Sequence, residues 1–327
     1  MNLTQFQDQI FYSTPEKFNQ LALELFHYQY NTNKIYHQYV NFICKDITQI
    51  HAIDQIPFLP IQFFKTHQIS TEPIQENHFF ESSGTTGQVT SKHFVHDYSL
   101  YKTSFSKGFH HFFGSIEDYC ILGLLPSYLE RTHSSLVYMV NDLINASQHT
   151  LSGFYLKNFE TLSKTLQQLE QQKTKALLFG VTFALLDFAE LYPISLDSVA
   201  IIETGGMKGR REEMNREQVH AILKQTFSTQ HIYSEYGMTE LFSQAYSTSN
   251  GIFTPVPWMK VLVRDINDPL DTVLAGKGAI NVIDLANIHS CAFIATEDQG
   301  EVFANDDFKI HGRIDHSELR GCSLMAL

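Results

Sequence analysis

The chain has 327 residues, a formal net charge of −12 and a hydrophobic fraction of 43%. This composition excludes an intrinsically disordered chain, and the length suffices for one large α/β unit or for two domains with a smaller third lobe. The negative charge argues against nucleic acid or an anionic membrane surface as a partner, because either would repel the protein at long range. An anionic small ligand must therefore be held by local donors.

The first sixty residues predict a helical region. Thr14 and Pro15 are typical of a helix start, because a capping hydroxyl precedes a proline whose missing N–H has no helical partner to lose. Apolar residues then recur on one helical face, at Phe18, Leu21, Ala22 and Leu25. Residues 56–60, which contain two prolines, predict an extended connection. We expect residues 1–60 to pack as a helical N-terminal region on the main body.

Neither a signal peptide nor a membrane span is predicted. Residues 1–10 have no basic region and no apolar core of signal-peptide length. No stretch approaches the roughly 18 uninterrupted apolar residues of a transmembrane helix. We therefore expect a cytoplasmic protein.

Residues 81–87, Glu-Ser-Ser-Gly-Thr-Thr-Gly, combine two glycines with four hydroxyl residues and almost no bulk. Glycine lets backbone amides approach an anion, and serine and threonine add hydroxyl donors. The segment is not a Walker loop, since Gln88 and not lysine follows the second glycine. It predicts a phosphate-binding loop, although such a run alone is also typical of a flexible turn. The candidate residues are Ser82, Ser83, Gly84, Thr85, Thr86 and Gly87, with Lys92 just beyond as an extra cation or a plain surface lysine.

Between residues 119 and 233, short apolar runs alternate with helical patterns. Strands are predicted over 119–125, 175–179, 199–203 and 231–233, and helices over 134–144, 183–191 and 214–227. This alternation implies right-handed crossovers and a mainly parallel sheet with helices on both faces. Ligands of such sheets bind beyond the carboxyl ends of the strands. Glycine-containing segments follow three of the predicted strands there: Phe179-Gly180, Gly205-Gly206 and Tyr236-Gly237.

From Trp258 onward the pattern changes to short strands. These are predicted over 259–265, 278–284, 291–295, 301–304 and 308–310. The predicted fold class is therefore α/β, a parallel sheet with helices on both faces followed by a β-rich C-terminal lobe. We expect the α/β core over residues 61–255 and the β-rich lobe, ending in a short tail, over residues 256–327.

Cysteine and histidine usage does not predict a transition-metal site. The four cysteines are widely spaced and form no CxxC pair, which argues against zinc and against a disulfide framework. They are Cys44, Cys120, Cys291 and Cys322. His110 and His111 have no third ligand at helical spacing, and we interpret them as a solvent-facing turn.

Four motifs occur in the order found in the acyl-adenylate-forming superfamily, which includes acyl-CoA synthetases, firefly luciferase and peptide-synthetase adenylation domains. They are residues 82–87, Tyr236-Gly237-Met238-Thr239-Glu240, Thr296-Glu297-Asp298 and Gly312-Arg313-Ile314-Asp315. Within the superfamily, the chain most resembles the LuxE-type acyl-protein synthetases, the fatty-acid-activating subunits of bacterial fatty acid reductases. This narrower likeness depends on residues 125–131, 134–139 and 319–324. It extends from Phe79 to the end of the sequence.

The resemblance implies ATP and Mg²⁺ as cofactors and a fatty acid or other carboxylic acid as substrate. A carboxylate is a poor acyl donor, so its oxygen first attacks the α-phosphate of ATP and forms a mixed anhydride with AMP. Charge then develops on the phosphorus oxygens and on departing pyrophosphate. Fixed donors aimed at those atoms supply most of the stabilisation in such transfers.

The resemblance also implies roles for the phosphate-site residues. The loop at 82–87, with Lys92 as a further candidate, would hold the pyrophosphate end. Thr239 would hydrogen-bond the α-phosphate. Glu240 would ligate Mg²⁺, a hard ion that prefers a carboxylate plus phosphate oxygens. Alternatively, Glu240 begins a helix, where the helix dipole stabilises a carboxylate.

The remaining implied roles concern the nucleoside. Gly205, Gly206 and Tyr236 would bracket the adenine, and Gly237 follows in the same motif. Asp298 would accept hydrogen bonds from both ribose hydroxyls. Arg313 would hold the phosphate–ribose linkage, or be a surface arginine that closes a strand.

The carboxyl-terminal end departs from the wider superfamily pattern. Asp315 matches the hinge residue about which a C-terminal lid rotates, but only twelve residues follow it. The resemblance is therefore to the N-terminal part of these enzymes, without the lid and its catalytic lysine. Another cation, from Lys92 or a partner subunit, would have to replace that lysine.

Cys322 suggests what happens to the activated acyl group. LuxE-type enzymes pass it from AMP to a cysteine near their carboxyl terminus and then to a reductase subunit, and Cys322 matches that position. Arg320 and His316 are the cations available to activate its thiol. Alternatively, Cys322 packs as a small hydrophobe.

Three other interpretations stay open. The protein could be a CoA ligase of the phenylacetate type, a lidless adenylase that feeds a carrier protein, or a non-catalytic nucleotide- or acyl-binding module. Intact Asp298, Arg313 and Glu240 argue against loss of activity, and the short terminus argues against CoA use. An apolar acyl slot is predicted near residues 179–182, where Gly180 would let the ligand pass the backbone.

Overall fold

The computed structural model describes residues 2–75, 77–82, 89–125, 132–156, 158–205 and 214–314. Within these ranges, thirteen strands form one mixed sheet. Strands β2 and β3 form a separate hairpin. The strands are β1 (Leu59–Pro60), β2 (Phe79–Glu81), β3 (Lys92–Phe94), β4 (Cys120–Leu124), β5 (Gly153–Phe154), β6 (Ala176–Val181), β7 (Val199–Thr204), β8 (Ile232–Tyr236), β9 (Ala245–Ser249), β10 (Ile252–Pro255), β11 (Met259–Arg264), β12 (Thr272–Val273), β13 (Gly276–Asp284), β14 (Phe293–Val302) and β15 (Phe308–Arg313).

Nine α-helices lie in the same described ranges. They are α1 (Leu3–Ile10), α2 (Pro15–Thr32), α3 (Lys34–Ile43), α4 (Phe63–Thr66), α5 (Tyr98–Phe113), α6 (Ser135–Ser147), α7 (Phe159–Gln172), α8 (Thr182–Leu191) and α9 (Arg216–Phe227). Among these helices, none has both the length and the apolar character needed to cross a membrane.

The order of the strands joins the two predicted halves in one sheet. It is β12-β11-β13-β14-β15-β10-β9-β8-β7-β6-β4-β5, with β1 added parallel to β14. Strands β5, β4, β6, β7 and β8 pair in parallel, and the pairs from β8 to β12 are antiparallel. This confirms the predicted α/β fold with a β-rich C-terminal part. The proposed domain boundary at residue 256 falls between strands of this sheet and stays a prediction.

The N-terminal region is helical as predicted. Helix α2 begins at Pro15 and buries Phe18, Leu21, Ala22 and Leu25. The expected hydroxyl cap is not formed, however: a hydrogen bond from Thr14 instead lowers the pKa of the Glu16 carboxyl. The extended connection ends in β1, which pairs with β14.

Helix α2 also holds a turn of the β-rich half in place. The Gln29 amide is fully buried; its Nε2 donates to the Asn287 carbonyl at 2.7 Å, and its Oε1 accepts from the Ala292 amide at 2.9 Å. Asn33 Nδ2 donates to the Ser290 carbonyl at 2.8 Å. Because buried polar groups require partners, these bonds fix residues 287–292 relative to the N-terminal helices.

Two predictions about local structure need correction. The two strands predicted over 291–295 and 301–304 are replaced by one strand, β14 (Phe293–Val302), so Asp298 lies inside a strand. His110 and His111 lie in the last turn of helix α5, which ends at Gly114 with φ of 87°. This helix was not recognised because its serines, threonines and aromatics are weak helix formers, and its burial stabilises it instead.

Candidate functional site

The carboxyl ends of β7 and β8 lie side by side, as the predicted site requires. Thr204 and Glu235 are register partners in the two parallel strands. Gly205 directly follows β7 with φ of 76°, and its carbonyl accepts from Thr182 Oγ1 at 3.0 Å. A left-handed φ of this kind favours glycine over any residue with a Cβ. Tyr236 ends β8, and Gly237 follows it.

Tyr236, Asp298 and Arg313 come together although they are distant in the sequence. The Tyr236 hydroxyl donates to Asp298 Oδ2 at 2.9 Å. Asp298 and Arg313 are register partners in β14 and β15, and Arg313 Nε lies 3.7 Å from Asp298 Oδ1. The Tyr236 ring packs edge-on against Phe308, with centroids 5.2 Å apart. Three of the predicted nucleoside-site residues therefore form one cluster.

The charges of this cluster differ in their exposure. Burial raises the pKa of the Asp298 carboxyl, while the hydrogen bond from Tyr236 and the charge of Arg313 act in the opposite direction. The Arg313 side chain is 82% exposed. Arg313 is the last residue of β15, so it closes a strand and also faces Asp298. The Arg313 guanidinium is therefore accessible to an anion, whereas the Asp298 carboxylate is mostly shielded from solvent and accepts the hydrogen bond of Tyr236.

Thr239 and Glu240 form a turn just after β8, so the alternative that Glu240 begins a helix is wrong. The Glu240 side chain is buried, and burial raises the pKa of its carboxyl, which a hydrogen bond with Ser91 partly offsets. The Glu240 carbonyl accepts from Asn287 Nδ2 at 2.7 Å. The Thr239 carbonyl lies 3.0 Å from Nδ1 of the buried His93. Backbone and side-chain bonds thus hold this turn on two sides.

The predicted phosphate loop belongs to the segment that connects β2 to β3, and Ser82 is its one residue in the described ranges. At the base of the loop, the Ser82 amide donates to the Ser91 carbonyl at 3.0 Å, and the Ser91 amide donates to Ser82 Oγ at 2.9 Å. Since Ser91 also bonds Glu240, the base of the loop lies against the turn after β8. Ser82 and Glu240 therefore lie near each other, because both contact Ser91.

The Lys92 side chain does not lie beside Glu240. It lies on the opposite face of the hairpin, where its Nζ is 4.7 Å from the centroid of the Phe79 ring. Phe79 in turn stacks on His133, with centroids 4.3 Å apart. Lys92 stays a prediction for the pyrophosphate end only.

Several predicted residues lie outside the described ranges, and their roles stay predictions. In the phosphate loop these are Ser83, Gly84, Thr85, Thr86 and Gly87; elsewhere they are Gly206, Asp315, His316, Arg320, Cys322 and residues 126–131.

Two buried carboxylates at this edge of the sheet were not predicted. Glu203 in β7 accepts hydrogen bonds from Thr182 and Ser234, and Arg216 Nε lies 3.7 Å from its Oε2. Glu235 in β8 accepts from Thr204 Oγ1, and its Oε1 lies so close to Gly237 that a Cβ at that position would clash with it. A glutamate within an otherwise buried strand is the signal that could have indicated them, because unpaired buried carboxylates are rare.

Glu235→Gln is expected to gain stability relative to the wild-type protein as pH rises. Burial raises the pKa of Glu235 from 4.5 to about 7. Between these values the native state retains a proton that the unfolded chain releases, so the wild-type protein loses stability, on the order of 3 kcal/mol, across this window. Gln cannot titrate and avoids that loss. Free energies of unfolding of both proteins at about pH 5 and about pH 8 measure the difference, and a difference that is independent of pH would contradict the assignment.

The donor set fits a hard divalent cation at Glu240. Magnesium is usually bound by one or two carboxylates, waters and substrate phosphate oxygens rather than by a protein-only cage. Among residues in the described ranges, no cluster of three or more His, Cys, Asp or Glu side chains could hold a metal ion. The buried carboxylate of Glu240, beside the hairpin whose connecting segment is the predicted phosphate loop, fits a magnesium site completed by waters and phosphate oxygens.

Comparisons with known proteins identify the family of the chain. A family model described as acyl-protein synthetase, LuxE, matches residues 9–326. The long-chain-fatty-acid–luciferin-component ligase of Aliivibrio fischeri is 24% identical over 351 residues, which cover 98% of this chain and 91% of that protein.

The fold is shared with solved structures of adenylate-forming enzymes. 2-Hydroxyisobutyryl-CoA ligase in complex with 2-HIB-AMP has a TM-score of 0.63 and 12% identity, over 91% of this chain and 68% of that chain. ATP-bound MatB from Rhodopseudomonas palustris has a TM-score of 0.54 and 17% identity, over 72% of this chain and 47% of that chain. The match thus spans about half the length of MatB. From the family match and the shared fold, we conclude that the chain belongs to the LuxE family of acyl-protein synthetases, whose fold is that of acyl-adenylate-forming ligases.

Proposed function

We propose that the protein activates a fatty acid or related carboxylic acid with ATP to acyl-AMP, and then transfers the acyl group to Cys322 or to a partner protein. The observation that carries the proposal is Asp298, which Tyr236 and Arg313 hold beside the carboxyl end of β8. An accessible cation next to a partly buried carboxylate suits a ligand that combines a phosphate with a ribose.

In the first step, a carboxylate oxygen of the acid attacks the α-phosphorus, the bond to the bridging oxygen breaks, and pyrophosphate leaves. Thr239 would hydrogen-bond the α-phosphate, and Arg313 would stabilise the charge that develops on it. The loop at 82–87 would hold the departing pyrophosphate. Glu240 would hold Mg²⁺, which supplies positive charge to the phosphate oxygens when bound.

The nucleoside end is organised before any ligand arrives. The Tyr236 ring is fixed by its hydroxyl bond to Asp298 and by Phe308. It would then stack on the adenine, with Gly205 and Gly206 on the other side, without a cost for ordering the ring. Asp298 would accept from the ribose hydroxyls. Preorganised groups of this kind strengthen binding because less conformational freedom is lost.

In the second step, the thiolate of Cys322 would attack the carbonyl carbon of acyl-AMP, forming a thioester and releasing AMP. The thiol proton would leave to solvent or to a neighbouring base. The acyl group would then pass to an acceptor protein such as a reductase or a carrier. Cysteine suits this step because its thiolate is a strong nucleophile at moderate pH.

Cys322→Ser is expected to abolish a covalent acyl intermediate without abolishing pyrophosphate release. Protein, MgATP and fatty acids of graded length are mixed, and pyrophosphate and intact protein mass are followed. The wild-type protein should gain the mass of one acyl group, which hydroxylamine removes. Cys44→Ser is the matched control, because Cys44 is a half-buried free cysteine, and it should keep the mass gain.

Each other outcome selects a different function. A mass gain that persists in Cys322→Ser and is still removed by neutral hydroxylamine, which cleaves thioesters but not oxyesters, would assign the thioester elsewhere and contradict the role of Cys322. Pyrophosphate release without any mass gain would indicate direct transfer to a carrier or, if added CoA is acylated, a CoA ligase. Nucleotide binding without pyrophosphate release, with every acid tested, would leave a non-catalytic binding module.

A further inference from the structure

Ser91, which directly precedes β3, and His93 within β3 project from one face of the hairpin, whereas Lys92 projects from the other. Successive side chains of an extended strand alternate in this way. Ser91 and His93 are both buried, with 3% and 0% exposure, and Lys92 is exposed. We call Ser91 and His93 the inner face of β3. It packs against the turn that contains Thr239 and Glu240.

Both ring nitrogens of His93 have partners that fix one tautomer. Nδ1 lies 3.0 Å from the Thr239 carbonyl, which only accepts, so Nδ1 carries the hydrogen. Nε2 then accepts from the Ser290 hydroxyl at 2.8 Å. The ring stacks on Phe242, with centroids 4.7 Å apart, and meets Phe64 edge-on. His93 therefore has a single orientation, defined by bonds at both ends and by rings on two sides.

Ser91 contacts the next residue of the same turn. Its hydroxyl bonds the Glu240 carboxyl, and its amide donates to Ser82 Oγ at the base of the phosphate loop. Two neighbouring positions on the inner face of β3 thus hold two consecutive residues of the turn. The strand that leaves the phosphate loop is bonded directly to Thr239 and Glu240.

We propose that the inner face of β3 is a positioning element for adenylation: His93 and Ser91 set Thr239 and Glu240 at a fixed distance from Ser82, the first residue of the predicted phosphate loop. The inference rests on the proposed function, because it supposes that this turn acts on the α-phosphate. Neither residue contacts substrate in this proposal; each acts through the turn. Misplacement by about 1 Å can slow a reaction on the order of 10²-fold, so fixing this distance has a large effect on rate.

Two serine variants with the same chemical change give the first test. Ser91→Ala removes the hydroxyl bond to Glu240, and Ser290→Ala removes the bond to the far nitrogen of His93; both serines are buried. Ser91→Ala should lower kcat for pyrophosphate release by more than about tenfold, with little change in KM for the acid. Ser290→Ala should retain most of kcat. Rates are expressed per nucleotide-binding site, so that loss of folded protein does not count.

Two His93 variants separate its two bonds. The amide of Asn reaches the position of Nδ1, so His93→Asn can still donate to the Thr239 carbonyl. The amide of Gln reaches the position of Nε2, so His93→Gln keeps a partner for Ser290 and loses the bond to Thr239. We expect kcat to fall on the order of 10²-fold in His93→Gln and much less in His93→Asn, although both variants lose thermal stability.

Hydrogen exchange of the peptide that spans residues 236–242 gives a readout independent of turnover. It should be faster in Ser91→Ala and His93→Gln than in Ser290→Ala and His93→Asn. Equal exchange and equal kcat within each pair would overturn the inference. If the wild-type protein releases no pyrophosphate, the proposed function fails, and the exchange rates alone then decide whether the inner face of β3 holds this turn.

Discussion

Glu240→Gln is expected to slow acid-dependent pyrophosphate release on the order of 10²- to 10³-fold, the range seen when one preorganised electrostatic group is removed from an active site. Gln preserves the shape and the hydrogen bond with Ser91 but removes the negative charge. Glu240 is buried, and burial raises the pKa of its carboxyl, so the ionised form needs a cation beside it. Glu240 would hold Mg²⁺, so loss of the carboxylate charge would weaken binding of the ion and remove the positive charge that it would supply to the phosphate oxygens.

Glu170→Gln is a suitable control for this change. Glu170 lies in the last turn of helix α7, and its carboxylate accepts from the amides of Ser198 and Val199 at the start of β7, on the opposite edge of the sheet from Glu240. Its substitution should reduce stability and leave the rate per folded molecule unchanged. A Glu240→Gln protein that keeps the wild-type rate at saturating Mg²⁺ would remove Glu240 from the proposed mechanism.

The parallel half of the sheet could be predicted because its strands are buried on both faces. Strands β4 and β6 are fully buried, so their sequences appear as continuous apolar runs between amphipathic helices. The β2–β3 hairpin could not be predicted, because its strands have only three residues each and carry no alternation long enough to detect. Yet this hairpin delivers Ser91 and His93 to the site.

The contacts within the site depend on strand order, which no local pattern contains. Tyr236 in β8 bonds Asp298 in β14, although β9, β10 and β15 lie between these strands in the sheet. The Tyr236 ring contacts Phe253 in β10 and Phe308 in β15, which belong to the intervening strands. The sheet must therefore curve strongly there to bring β8 and β14 within reach of each other. Motif order indicated which residues belong together, whereas the bond from Tyr236 to Asp298 required the structure.

Asp298→Ala is expected to lower kcat/KM for ATP on the order of 10²-fold or more, and to abolish discrimination against 2′-deoxy-ATP. A hydrogen bond to a charged group contributes about 1.5–3 kcal/mol, and two such bonds to the ribose would be lost. The wild-type protein should use 2′-deoxy-ATP less efficiently than ATP, since one of those bonds is missing. In Asp298→Ala the two nucleotides should react at the same rate, which steady-state kinetics with both substrates measures.

Tyr236→Phe distinguishes direct ribose contact from support of the carboxylate. Each carboxylate oxygen can accept two hydrogen bonds. Tyr236 occupies one position on Oδ2, and Arg313 lies 3.7 Å from Oδ1, so acceptor positions remain for both ribose hydroxyls. Removal of the Tyr236 hydroxyl should therefore lower kcat/KM by less than removal of Asp298 and should keep the preference for ATP over 2′-deoxy-ATP. If Tyr236→Phe loses that preference while Asp298→Ala keeps it, the tyrosine hydroxyl and not the carboxylate binds the ribose.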